Sequence, residues 1–295
     1  TLNNHTARKP AEWIRCKAAA ALADACAFVF IDAINPDGTM NSGVYDTMKS
    51  IYDEFRPYKP YLGGERCQDV VIYLSTESKF DPKDNGTCLV AGSGAQGNQE
   101  PSASMPHVDA VFETAAALMK HHIPFGIITK KNLDELGQYK TVVLPNVLMM
   151  DNDEVEAFRR YVYEGGTLYA SKNTSLQRKD GSRPGDFMLG DVFGVSFLGE
   201  TSESFTYISP SEEALGLFDG YDDTCPVGID EKQIIVRAHA DAKVWGKVVL
   251  PFSHPDDWQN FTSIHSNPPG RPTDHPAVVF NSFGRGKCVY VTASL

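Results

Sequence analysis

KTVVLPNVLMMDNDEVEAFRRYVYEGGTLYAS (140–171) is the stretch whose reading decides the fold. KTVVLP (140–145) is apolar on both faces, as a parallel strand between two helical layers must be. Asp151, with Glu154 three residues on, forms a capping-box pattern, and Val155, Phe158 and Val162 then recur at helical spacing, which predicts an amphipathic helix. Gly165 and Gly166 stop that helix, and TLYAS (167–171) is the next strand. Working outward toward the N-terminus, FGIIT (125–129) reads as a strand followed by a short LDEL helical turn. Before it, Pro106 opens a helix whose stripe is Val108, Val111, Phe112, Ala115, Leu118 and Met119, and before that DVVIYL (69–74) reads as a strand. His121 and His122 fall at that helix's C-terminus, where they suit the dipole. As adjacent residues they point about 100° apart on a helix, a poor start for a metal site. Strands alternating with helices over 69–175 are the sequence form of a doubly wound parallel α/β sheet with helices on both faces.

The flanks have different textures. Ser75 to Ser104 is rich in Gly, Asp and Asn and reads as a long loop, and its GSGAQG run (92–97) lacks the following helix and Lys-Ser/Thr of a phosphate cradle. After about residue 190, VSFLGE, SFTYISP, QIIVRAHA and KVVLPF are short strand-like runs without amphipathic helices between them, which predicts antiparallel β structure. AVVFNSFGRGKCVYVTA then reads as two strands joined by a Gly-containing turn. N-terminally, AEWIRCKAAAALADA after Pro10 reads as a helix, CAFVFI (26–31) as a buried strand, and the segment from Ser42 as a helix with Val44, Met48, Ile51, Tyr52 and Phe55 on one face. PYKPYLGG (57–64) ends it, because two prolines and two glycines cannot continue a helix. The expected organisation is a helix-strand-helix segment over 1–64, an α/β domain over 65–190, and a β-rich part over 191–295 packed on the domain before it.

Composition narrows the function classes. The 295 residues are 42% hydrophobic and 22% charged, ordinary for a chain that buries a full core. A formal net charge of −11 without any Lys/Arg cluster argues against nucleic acid and anionic membranes as partners. No apolar run reaches the ~20 residues of a membrane span, and TLNNHTARKP lacks the apolar core of a signal peptide, so the compartment stays open. The six cysteines include no CxxC pair, no metal site is expected, and Cys26 and Cys288 sit in apolar runs that suggest buried thiols.

The deciding stretch also resembles the β-galactosidase trimerisation domain, a flavodoxin-like module related to the class I glutamine amidotransferases. In that module a strand ending in Leu-Pro precedes a helix that ends in Gly-Gly, as Leu144, Pro145, Gly165 and Gly166 do here. AVVFNSFGRGKCVYV resembles the closing strands of such proteins, and FTSIHSNPPG a proline-rich segment of glycoside hydrolases that carry the module. Upstream, CAFVFIDAINPDGTMNSGVYDTMKSIYDEF looks like the last strand, loop and helix of a (β/α)₈ hydrolase barrel of the α-fucosidase type, with Pro36, Asp37 and Gly38 echoing its turn. The resemblance implies the C-terminal region of a longer glycoside hydrolase: an accessory part that performs no chemistry alone, acts in oligomerisation or in shaping a neighbouring subunit's sugar site, forms a homo-oligomer, and requires no cofactor.

Candidate chemistry is sparse. Glycoside hydrolysis needs two carboxyl groups about 5–5.5 or 6.5–9.5 Å apart. Asp32 follows the expected barrel strand, where barrel chemistry is found, but a loop carboxylate capping a turn with Asn35 is the favoured reading. No partner carboxylate is evident, and Asp37 in Pro-Asp-Gly-Thr is a turn residue. Amidotransferase chemistry needs a nucleophile on a strand-to-helix elbow, which strand order places near TLYASKNTS. Ser171 and Lys172 stand there, without Cys or flanking Gly. The densest polar and aromatic loop is 253–276, where His254, Asp257, Trp258 and His265 are candidates for carbohydrate contact, Trp by stacking and the others by bonding hydroxyls. Its histidines match no tight metal spacing. The rival readings are an autonomous hydrolase using Asp32, an amidotransferase-like enzyme, and a sugar-binding module built on that loop.

Overall fold

The computed structural model describes residues 8–24, 26–64, 67–79, 105–254, 256–260, 262 and 266–294. These fall into two compact units that divide between Cys67 and Gln68.

In the first unit α1 (Ala11–Ala23) enters behind Pro10, and α2 (Ser42–Phe55) is capped by Asn41, whose Oδ1 accepts from Gly43 N at 3.1 Å. Arg15 of α1 bonds Glu54 of α2 at 2.7 Å, and Ile51 is fully buried. A 3₁₀ turn, Arg56–Tyr61, absorbs the two prolines that stop α2. The strand expected over 26–31 does not form, because no other strand accompanies it among the unit's described residues and an isolated strand leaves its backbone unpaired. Val29 is 72% and Ile31 81% exposed, and Cys26 is exposed as well, against the buried-thiol expectation.

The second unit is built on one mixed sheet. Its elements in chain order are β1 (Val70–Tyr73), a one-turn helix α3 (Thr76–Lys79), α4 (Pro106–Lys120), β2 (Phe125–Ile128), β3 (Thr141–Leu144), β4 (Met149–Met150) and α5 (Asn152–Tyr163). There follow β5 (Thr167–Ser171), β6 (Gln177–Arg178), a short α6 (Gly190–Phe193), β7 (Val195–Glu200), β8 (Thr206–Pro210), β9 (Val227–Ile229), β10 (Ile234–Ala238), β11 (Lys243–Pro251), β12 (Pro269–Phe283) and β13 (Gly286–Val291). The nine-stranded sheet has the order β2-β1-β3-β5-β13-β12-β11-β8-β9. Its first five strands are mutually parallel, and from β13 onward every pairing is antiparallel. Residues on either side of position 190 therefore share one sheet. The GSGAQG run and Cys88 lie outside the described residues.

Alternation along the strands sends side chains to two cores. On one face Val71, Tyr73, Val142, Leu144, Leu168, Ala170, Cys288 and Tyr290 pack with Val155, Phe158 and Val162 of α5. On the other, Ile72 and Val143 pack with Val111, Ala115 and Leu118 of α4. The antiparallel pair β7–β10 lies over the first face through Val195, Ile234 and Val236. Two local details hold the turns. The Asp151–Glu154 capping box forms as expected, with Glu154 N donating to Asp151 Oδ1 at 3.2 Å and Asp151 N to Glu154 Oε2 at 2.9 Å. At Gly166 a Cβ would lie 2.3 Å from the Tyr161 ring, so the second glycine of the pair is required for close packing rather than for flexibility. Phe158 is fully buried and meets Tyr73 edge-to-face at 5.0 Å. Phe158→Ala is expected to cost about 3–5 kcal/mol of unfolding free energy, read as a lower denaturant midpoint at unchanged slope.

Candidate functional site

Two polar clusters stand out, one at the carboxyl ends of the parallel strands and one at the ends of β8, β11 and β12. The first is built from the segments that leave β1, β3 and β5. His107, in the first turn of α4, is buried and bridges two of them: its Nε2 accepts from Ser75 N at 2.9 Å and its Nδ1–H donates to Pro145 O at 2.8 Å. That pairing fixes the neutral ring, and burial holds its pKa below the ordinary histidine value. Ser78 joins the same edge, accepting from Met149 N at 2.9 Å and donating to Met149 O at 3.2 Å. Below it, Glu154 is buried and takes a short hydrogen bond from the Tyr73 hydroxyl. Burial raises the Glu154 carboxyl above the usual range, offset only in part by Tyr73 and by Lys130 4.0 Å away.

The segment after β5, where the sequence reading looks for a nucleophile elbow, carries a strained residue. Lys172, directly after β5, has φ 48°, a left-handed conformation that a lysine adopts only when its surroundings hold it there. They do: Lys172 N donates to Val291 O at 2.8 Å, Tyr290 OH donates to Lys172 O at 2.7 Å, and Lys172 Nζ closes an ion pair with Glu231. Ser171 is fully buried, with its Oγ accepting from Asn146 N at 3.0 Å. Thr174 Oγ1 accepts from Val147 N at 3.0 Å and Asn146 Oδ1 from Asn173 N at 3.2 Å, so the hydroxyls and amide of this edge tie the β3 and β5 loops together. Both nitrogens of His107 are engaged elsewhere, so it supplies no base to Ser171.

In the second cluster the structure brings His254 beside two residues that the sequence reading did not single out, Ser202 and Glu203. His254 Nε2 lies 3.3 Å from Ser202 Oγ, and Asp256 Oδ2 lies 3.8 Å from His254 Nδ1, an arrangement that resembles a serine-histidine-aspartate triad. The hydrogen bonds run the wrong way for one. His254 Nδ1 accepts from Asp256 N at 3.1 Å, so in the neutral ring the proton sits on Nε2 and is donated to Ser202 Oγ, which in turn donates to Glu203 Oε2 at 3.3 Å. Arg271 closes the other end, donating to Glu203 Oε1 at 2.6 Å and to Pro251 O at 2.8 Å. Burial works to raise the Glu203 carboxyl, but its own backbone N–H and Arg271 outweigh that and hold it below the ordinary glutamate value. The neighbouring Ser253 Oγ is enclosed with no partner among the described residues.

The remaining expected positions distribute as follows. Trp258 is 79% exposed, with its indole open to solvent. Asp257 is occupied as a turn carboxylate, accepting from Gln259 N, Asn260 N and Asn260 Nδ2, each at 3.1 Å; the Asn260 side chain, then its backbone, lowers its pKa. His265 lies outside the described residues. Asp32 belongs to the first unit, half-buried, with Oδ2 enclosed and unpartnered among the described residues. Asn35 bonds Thr39 instead, and Asp37 forms the expected turn with Thr39. Among the described residues no group of three His, Cys, Asp or Glu side chains is placed to hold a metal ion, and no helix is long and apolar enough to cross a membrane. The signals for the missed residues were faint: His107 beside the helix-opening Pro106, and Glu203 and Arg271, one in the loop before β8 and the other near the start of β12, about 70 residues apart and united only by the β8–β11–β12 ladder.

The family model of the β-galactosidase trimerisation domain matches residues 94–295. The chain belongs to this family. The trimerisation domain is similar in fold to the corresponding part of several solved glycoside hydrolases. The α-L-fucosidase isoenzyme 2 of Paenibacillus thiaminolyticus aligns at 18% identity with a TM-score of 0.67, over 97% of this chain and 38% of that one. The β-galactosidase of Rahnella sp. R3 aligns at 18% identity and 0.66, over 97% and 39%. That of Bacillus circulans sp. alkalophilus aligns at 17% and 0.64, over 89% and 34%. The chain therefore spans between a third and two fifths of the length of these enzymes, and at such identities the likeness is one of fold. No curated protein matches it in sequence.

The buried neutral His107 of the trimerisation domain sets a pH dependence. The unfolded chain takes up a proton near the ordinary pKa of about 6.5, while the folded ring resists it. Stability is therefore expected to fall as pH drops from about 6.5 toward the lower folded value, and then to level off. Glu154, raised in the folded state, acts in the opposite sense as pH falls toward the ordinary glutamate value. His107→Gln isolates the histidine contribution: its melting temperature, followed from pH 8 to 5, should decline less steeply than that of the unsubstituted chain.

Proposed function

We propose that this chain is an accessory, non-catalytic region of a glycoside hydrolase, whose flavodoxin-like unit assembles copies of the chain and contributes to shaping a carbohydrate site. The observation that carries this is the elbow after β5. The five-strand parallel order β2-β1-β3-β5-β13 corresponds to the 2-1-3-4-5 order of flavodoxin-like sheets, with α4 and α5 on opposite faces. At the point where catalytic relatives of the fold carry a nucleophile, the left-handed residue is Lys172, its ammonium neutralised by Glu231. The scaffold keeps the turn and dispenses with the reaction. Membership of the trimerisation domain family supports homo-oligomerisation.

The same reading gives residues 1–64 as the end of a hydrolase barrel. The support is the apolar 26–31 run, with Val29 and Ile31 exposed and no ladder partner among the described residues, as a barrel strand is when considered apart from its neighbours. Residues 65–190 then begin the trimerisation-type domain and 191–295, which supply its fifth parallel strand β13, complete it, in keeping with the family match over 94–295. Carbohydrate contact is assigned within the 253–276 stretch, which the sequence reads as a loop but which belongs to β12 from Pro269 onward, paired with β11; exposed Trp258, close in sequence to His254 of the Ser202–Glu203–Arg271 chain of hydrogen bonds, offers a stacking face.

Native mass spectrometry of the chain is expected to give a multiple of the monomer mass, and aryl glycosides and glutamine to give no turnover. A strict monomer at high concentration removes the assembly role, and turnover abolished by Asp32→Asn establishes an autonomous hydrolase instead. For the loop, calorimetry with galactose and fucose should show heat that Trp258→Ala abolishes; heat unchanged by that substitution removes the stacking assignment.

A further inference from the structure

The structure assigns one flank of α4, continued by edge strand β2, as a surface on which a second copy of this chain docks. The inference rests on the assembly reading above and adds the place where assembly occurs. Within α4 the inward residues Val111, Ala115 and Leu118 meet the sheet, which uses up the apolar face that a surface helix ordinarily needs. Phe112, Ala116 and Met119 nevertheless recur at i, i+4 and i+7 outside that face, and all three are exposed, Phe112 by 69% and Met119 by 67%. The stripe continues through Ile123, exposed in the connection to β2, and Ile127 on β2 itself. Ile127 is in register with Ile72, whose side chain packs on the α4 side of the sheet, so Ile127 and α4 occupy the same side.

Two physical constraints make this surface anomalous for a unit standing alone. Large apolar side chains scattered singly are normal, but a stripe at helical spacing that runs onto a neighbouring strand marks a contact. β2 is also the outermost strand of the nine-stranded sheet, paired with β1 alone among the described residues, and it is FGII, with neither proline nor charge to discourage further association. Family membership names the occupant: a trimerisation domain contacts other copies of itself. A closed ring of three uses a heterologous interface, in which one patch meets a different patch on the next subunit. The α4–β2 surface supplies one of the two patches, with Glu113 and Lys120 exposed at its border as a polar rim.

The test introduces charge into the flank. Phe112→Asp combined with Met119→Asp, in the full chain, is expected to convert the assembled protein to monomer by multi-angle light scattering at concentrations where the unsubstituted chain stays assembled, with circular dichroism and melting temperature retained. If the double variant loses its fold, Ile127→Lys reads the same surface through the sheet edge and is expected to raise the dissociation constant at least tenfold. An assembled unsubstituted chain whose folded variants assemble equally well overturns the surface assignment while leaving the assembly reading standing. A monomeric unsubstituted chain overturns both.

Discussion

The pairing of β13 is the constraint on which the second unit depends. Val289 and its neighbours lie in parallel register with Tyr169 of β5 on one side and antiparallel to Phe280 of β12 on the other. β13 thereby joins five parallel strands to a four-strand antiparallel extension, and its side chains serve both faces: Cys288 and Tyr290 enter the α5 core, while Val291 enters the core beneath β8 and β11. Tyr290 does more than fill space, since its hydroxyl holds the carbonyl of Lys172 and its ring stacks on Phe193 at 5.2 Å. The strained backbone after β5 is thus held by a neighbouring strand rather than by its own sequence.

Polar side chains at the carboxyl edge of the parallel strands do the work of loop closure. His107, Ser78, Ser171 and Thr174 each bond backbone groups of another loop, satisfying N–H and C=O groups that the irregular chain would otherwise leave buried and unpaired. Such a network is demanding, because every member must be matched. At this edge the named side chains hold neighbouring loops together.

How much of this was legible in the sequence follows the range of the interactions. The Asp151–Glu154 box, the Gly165–Gly166 stop and the apolar strands are local, and they form where periodicity and capping place them. The 26–31 run shows the limit: its composition is that of a strand, yet a strand is defined by its neighbours, and none accompanies it among the described residues of its unit. Position β13 next to β5 was equally invisible, because nothing in GKCVYV specifies which distant strand it joins. At the candidate sites, Asp257 and Trp258 were recognisable by type, but their roles were not: one carboxylate is consumed by its own turn, and the indole is open. Glu203 and Arg271 meet only through the antiparallel ladder.

The central place of β13 bears on how the molecule is made. Synthesis runs from the N-terminus, so β1, β2, β3 and β5 leave the ribosome well before the strand that joins them to the rest of the sheet. The contact between β5 and β13 closes a span of about 120 residues, a slow step because loop closure must precede the reward of pairing. Until then β5 presents an open edge in a partly built sheet, the kind of surface on which nascent chains associate wrongly. The interval between the emergence of β5 and that of β13 is therefore the stage at which this edge stands open.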